Sequence, residues 1–194
     1  MMKQTRILPA LGLVLALSGC FSFGGKVPDS LLRLSPSETV PATATRNVAA
    51  SEAVTVVVPT TPQELRTTRV PVRSGGTVAY LKDAQWVEAP GALFGRLVSD
   101  VIAARTGRVV LDPMQFTFDP GVRLTGQLRS FGLDATTNEA VVVYDAAVAR
   151  GANRVESRRF EARVPVAAID VASAGPAINQ AANQVAAQVA DWIG

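Results

Sequence analysis

The side chains that could move a proton or hold a metal are few in kind. There are carboxylates, arginines and lysines, one cysteine (Cys20), and no histidine. Zinc and copper centres draw on histidine and cysteine, so this chain is expected to hold no metal. Ser-His-Asp and Cys-His hydrolysis lack their base. General acid–base work by carboxylates remains, with Glu88, Asp100, Asp112, Asp119, Asp134, Glu139, Asp145, Glu156, Glu161 and Asp170 as candidates. Most of these stand at turns or on the polar side of a patterned segment, where a carboxylate is solvated surface charge. Asp145 differs. It lies mid-strand in "VVVYDAAVA", beside Val143 and Ala147. An ion pair with Arg158 or Arg159 of the next strand is expected there, a structural role rather than an active site. "SGGT" and "GRLVSD" lack the strand–glycine–helix setting and the Lys-Ser/Thr pair of a phosphate loop. The expectation is no enzyme and no cofactor.

Arginines at Arg66, Arg69, Arg73, Arg129, Arg150, Arg154, Arg158, Arg159 and Arg163 are scattered over extended segments. They either blunt sheet edges or form a basic strip for anionic headgroups or an acidic partner. Net charge is +3, and without Lys3 and Arg6 seventeen basic residues face sixteen acidic ones. So balanced a body argues against nucleic acid.

The elements that must position these residues show in the pattern. "VTVVV", Val54 to Val58, is a β-branched strand. Arg66 to Arg73 is extended but carries Pro71, which suits an edge. Gly75 and Gly76 turn the chain into a strand from Thr77 to Lys82. Between Trp86 and Gly107, Leu93, Leu97, Val98, Val101 and Ile102 form a helical stripe, with Pro90 in the first turn and Gly107 as the stop. Val109 and Val110 make a short strand. Segments 121–135, 139–151 and 154–166 alternate and are joined by "TTN" and "GAN", which predicts an antiparallel meander. Ser173 is the expected N-cap of a final helix whose stripe runs from Ile178 to Ile193. Trp86, Phe131, Phe160 and Trp192 are expected as structural anchors. The result is an α+β domain, a mainly antiparallel sheet with both helices on one face.

The N-terminus has its own logic. Lys3 and Arg6 precede an apolar run, Ile7 to Leu17, too short to span a bilayer, and "LSGC" follows. That stretch resembles the bacterial lipobox. The resemblance implies cleavage before Cys20 and covalent lipid on it, a firm anchor because each buried CH₂ contributes about 0.8 kcal/mol. Phe21, rather than Asp, implies the outer membrane. The expected organisation is a signal peptide over 1–19. Residues 20–53 hold the lipidated Cys20, a tether, a short strand at Ser30 to Leu34 and a loop without apolar period. The folded domain is 54–194.

The order of segments adds a resemblance. Leu65, Thr67, Arg69, Val70 and Val72 are followed by Tyr80 and Trp86. Then come Leu124, Leu128 and Phe131, and last Arg158, Phe160, Ala162, Val164 and Pro165. In that order and spacing, behind a lipobox, they resemble the ABC-type transport auxiliary lipoproteins, the family of the paraquat-inducible protein C lipoprotein. The chain departs from it where Leu31 or Leu32 stands for an aromatic, and in the long stretch Ser35 to Ala53. The resemblance implies a lipoprotein subunit on the periplasmic side of the outer membrane. Its partners would be an MCE-domain protein with an ABC permease and ATPase, moving lipid across the envelope, and copies of the lipoprotein would form a ring. The docking patch is expected at Arg66, Arg69, Val70, Val72 and Arg73, a free strand edge open to β-augmentation. The alternative is a periplasmic lipid shuttle or chaperone holding a hydrophobic ligand between helices and sheet.

Overall fold

The computed structural model describes residues 30–41, 47–113, 121–151 and 154–194. The expected signal peptide, Cys20, the expected tether to residue 29 and Asp119 lie outside the described residues. In chain order the elements are β1 (Val54–Val56), β2 (Arg69–Ser74), β3 (Thr77–Gln85), α1 (Pro90–Thr106), β4 (Val110–Leu111), β5 (Val122–Asp134), β6 (Glu139–Arg150), β7 (Arg154–Pro165) and α2 (Val171–Ile193).

The alternating segments form the meander their pattern demands. β5 pairs antiparallel with β6, Leu128 facing Tyr144, and β6 with β7, Tyr144 facing Phe160. The other pairings correct the expectation of a mainly antiparallel sheet. β1 runs parallel to both β4 and β5, and β2 runs parallel to β5, so the seven-stranded sheet is mixed. The cause is the connection: α1 carries the chain back, so β5 starts in the same direction as β1 and β2. β2 is also not an edge. It lies between β3 and β5. Pro71 is tolerated there because the β2–β5 ladder holds only Val72 and Arg73. Gly132 opposite lets the strands close up, since a Cβ on it would fall 2.4 Å from the Pro71 carbonyl oxygen.

Both helices cover one face. Ala140, Val142, Tyr144, Ala146 and Val148 of β6 point at them, buried with Phe94, Leu97, Val101 and Ile102 of α1. α2 contributes small side chains, among them Ala174, Ala181, Ala182 and Ala186, so it lies close to sheet and helix alike. Trp86 and Phe131 meet at 5.2 Å between ring centroids, as do Phe94 and Tyr144. Each such ring, fully buried, is worth roughly 1.5–3 kcal/mol. Tyr144 lies over Gly126, where a Cβ would fall 2.6 Å from the ring, and its hydroxyl donates to the Thr125 carbonyl at 3.1 Å.

Three expectations need correction in detail. Trp192 is only half-buried, packed at the margin of the core with its ring tilted against Phe160, 5.5 Å between centroids. The N-cap of α2 is Asp170, whose carboxylate accepts from the Ser173 N–H at 2.8 Å, and Ser173 already lies inside the helix. The N-terminal strand shrinks to one parallel bridge between Leu32 and Trp86. Pro90 and Gly107 (φ 73°) do bound α1.

Candidate functional site

The segment that enters the domain from the N-terminal side is the first built feature. Residues 31–40 run beside α2 as a strap. Leu32 sits against Gly175, and a Cβ there would approach its Cδ2 to 3.0 Å. Asn179 and Asn183, one turn apart, then catch the backbone. The Ser35 N–H donates to Asn179 Oδ1 at 2.8 Å, and the Ser37 N–H to Asn183 Oδ1 at 2.7 Å. Asn183 Nδ2 donates to the Ser35 carbonyl at 2.9 Å. Asn183 is 8% exposed with both ends of its amide bonded, as a buried amide requires. Arg105 closes the strap, donating to Glu38 at 2.7 Å and Asp191 at 3.0 Å. The sequence suggested a short strand at Ser30 to Leu34 and, from Ser35, only a loop without apolar period. The signal that pointed to more was the pair of asparagines on the polar face of α2.

The residues expected to dock a partner fall on two faces. Val70 is fully buried and Val72 packs against the core, so neither is reachable. Arg73 bonds Glu64 and donates to the Arg129 carbonyl at 3.0 Å. Arg66 donates to Gln63 Oε1 at 3.3 Å. Arg69 lies over the Tyr80 ring, 4.2 Å from its centroid. The period of two explains the split: successive residues of one strand point to opposite faces, so Val70 and Val72 turn inward and Arg69 and Arg73 outward. Of the five, Arg66 and Arg69 remain accessible.

The sheet face away from the helices carries a charge network. Arg159 grips Asp145 with two bonds, 2.6 and 2.8 Å, and Arg129 stands 3.7 Å from the same carboxylate. The Arg159 hydrogen bond, with its charge and that of Arg129, holds Asp145 below the usual carboxylate range against a modest burial penalty. Of the two arginines expected beside Asp145, Arg159 is the partner. Arg158 points the other way, over Phe160. Arg163 bonds Glu161 and Glu139. Arg73, Arg129, Arg159 and Arg163 are thus matched by carboxylates, so this face is not a basic strip.

A half-open groove of about 630 Å³ lies between α1 and the β1–β4 margin, lined by Val56, Val58, Gly95, Ser99 and Val110 with Arg96 and Asp100. Burial raises the Asp100 carboxyl, and Arg96 pulls it partly back. The layer between helices and sheet, where the alternative shuttle reading places a ligand, holds the core side chains. Among the described residues no three His, Cys, Asp or Glu gather as a metal site, and no helix is long and apolar enough to cross a membrane.

Fold and site define a two-layer α+β domain strapped by its own N-terminal segment. The chain belongs to the ABC-type transport auxiliary lipoprotein component family, whose model matches residues 33–190. The fold is shared with the crystal structure of a Xanthomonas campestris protein of the DUF330 family. It is 19% identical, with 84% of this chain and 94% of that one covered, at a TM-score of 0.67. A second crystal structure, of an uncharacterized protein, is 12% identical, with 76% and 95% covered and a TM-score of 0.64. No curated protein matches.

Proposed function

We propose that this protein is a non-catalytic accessory lipoprotein of an ABC/MCE-type envelope lipid transport system. Held by lipid on Cys20 at the periplasmic side of the outer membrane, it docks the MCE-domain assembly there. The ABC permease and ATPase are the further partners, and several copies together form the docking ring. The observation that carries this reading is the breadth of the family match, residues 33–190, behind a lipobox. Docking by β-augmentation needs a free edge. β2 has none, but among the described residues its neighbour β3 has one up to Gln85, where the strap covers it, and Val78 on it is 43% exposed.

The test is affinity purification of a C-terminally tagged chain from gently solubilised envelopes, with Cys20→Ala as control. An MCE protein recovered with its permease and ATPase supports the adaptor, and recovery of none of them sinks it. Val78→Asp is expected to lower that recovery several-fold while the thermal midpoint stays put, because the side chain makes no core contact. Undiminished recovery moves the docking surface off β3.

A second reading, a lipid-holding shuttle, draws support from the groove beside α1, whose volume falls within the range of small-molecule sites. It predicts lipid co-purifying in native mass spectrometry and lost on Gly95→Leu.

A further inference from the structure

We propose that the part of the sheet where the strap enters is a second, non-covalent membrane contact, resting on anionic headgroups of the bilayer that holds Cys20. The inference rests on the lipidation of Cys20. Ten residues lead from Cys20 to Ser30, where the described chain begins. Fully extended they reach at most about 36 Å. Whatever surrounds Leu31 therefore spends its time near the bilayer.

What surrounds it is fixed by three bonds. The Leu32 N–H donates to the Gln85 carbonyl at 2.7 Å and the Val87 N–H to the Leu32 carbonyl at 2.9 Å. The Trp86 N–H donates to the Thr68 carbonyl at 2.7 Å. Three stretches of chain, around Leu32, Trp86 and Thr68, thus lie side by side. They present Leu31 and Val87, 43% and 46% exposed, flanked by Arg33, Arg66 and Arg69. Among the described residues none of these arginines has a carboxylate partner. The nearby Glu64 and Glu88 are taken by Arg73 and Arg96, and exposed Lys82 and Asp83 offset each other. This contrasts with the network around Asp145, where arginines and carboxylates are matched.

A basic residue near an anionic bilayer contributes about 1 kcal/mol, and small apolar side chains between such residues can enter the headgroup layer. That sum would not hold a free domain. On a short tether the local concentration is about millimolar, and weak contacts are enough to orient the domain. An acidic protein would meet the same arginines. The tether favours the bilayer, which is within reach whether or not a partner is present.

The test uses the mature lipidated chain in nanodiscs rich in phosphatidylglycerol or made of phosphatidylcholine alone. Cys20 is consumed by lipid, so Val87→Cys or Val78→Cys gives a single thiol for a fluorophore, quenched by headgroup-spin-labelled lipid. These positions lie towards opposite ends of the β3 segment; the register, in which Val78 faces Arg73 and Gln85 faces Arg69, puts them roughly 20 Å apart. On anionic discs, quenching at position 87 is expected to exceed that at 78 several-fold. The excess should shrink in neutral discs, at high salt, and in the Arg66→Glu/Arg69→Glu chain. Equal quenching at both positions, or an excess indifferent to lipid charge, overturns the proposal. So does a charge reversal that abolishes capture of transporter proteins yet leaves quenching intact, which would assign the arginines to a protein. Failure of the anchor shows separately, as a chain without acyl mass that leaves the discs, and it removes the proposal with it.

Discussion

Asp145 is the carboxylate on which two arginines converge, and its behaviour with pH follows from them. Its folded-state pKa lies below the ordinary value, so the pair stabilises the fold above about pH 4 and the contribution disappears as pH falls through the depressed pKa. Asp145→Asn is expected to destabilise by roughly 1 kcal/mol at neutral pH, since the pair is partly exposed and solvent-screened. Urea titrations of both chains should converge at acid pH. A gap that persists there would assign the loss to packing. At this scale the sequence was legible to within one position. An ion pair across β6 and β7 followed from a charged residue in an apolar strand. Choosing between Arg158 and Arg159 needed the register. Trp192 was misjudged for a different reason: a helical stripe says which side is apolar, not how far along the helix the cover extends.

Elements are legible where their partners are local. The β5–β6–β7 meander follows from alternation and short turns, which fix register between neighbours. The parallel pairings of β1 and β2 with β5 join residues far apart in sequence, and no local pattern records them. Pro71 misled, because proline argues for an edge; the answering signal was Gly132, sixty-one positions on. Gly132→Ala places a methyl group against the Pro71 carbonyl and is expected to cost about 3 kcal/mol in urea unfolding. Gly76→Ala, which meets nothing within 4 Å, should change stability by less than about 0.5 kcal/mol. Similar losses in both would mean that β2 does not depend on close approach.

At the scale of the molecule, the strap turns an aperiodic stretch into structure by borrowing two amides from α2. Hydrogen bonds between backbone and a distant side chain leave no periodicity to read, so this escapes pattern analysis. Asn183→Ala should free residues 31–40 while the core stays folded. Protease cutting within the strap is expected to rise about tenfold, and unchanged cutting would mean that Leu32 and Arg105 hold it unaided. α2 itself has a further consequence. It follows every strand in the chain, yet its 23 residues cover β6 and β7 and pack against the flank of α1. If the chain is exported through a translocon, α1 and the sheet arrive first with the apolar face of β6 and β7 bare, and the core closes only when α2 has emerged. Until then the meander exposes an adhesive surface. The interval between its arrival and that of α2 is the period in which this protein most depends on a holding chaperone.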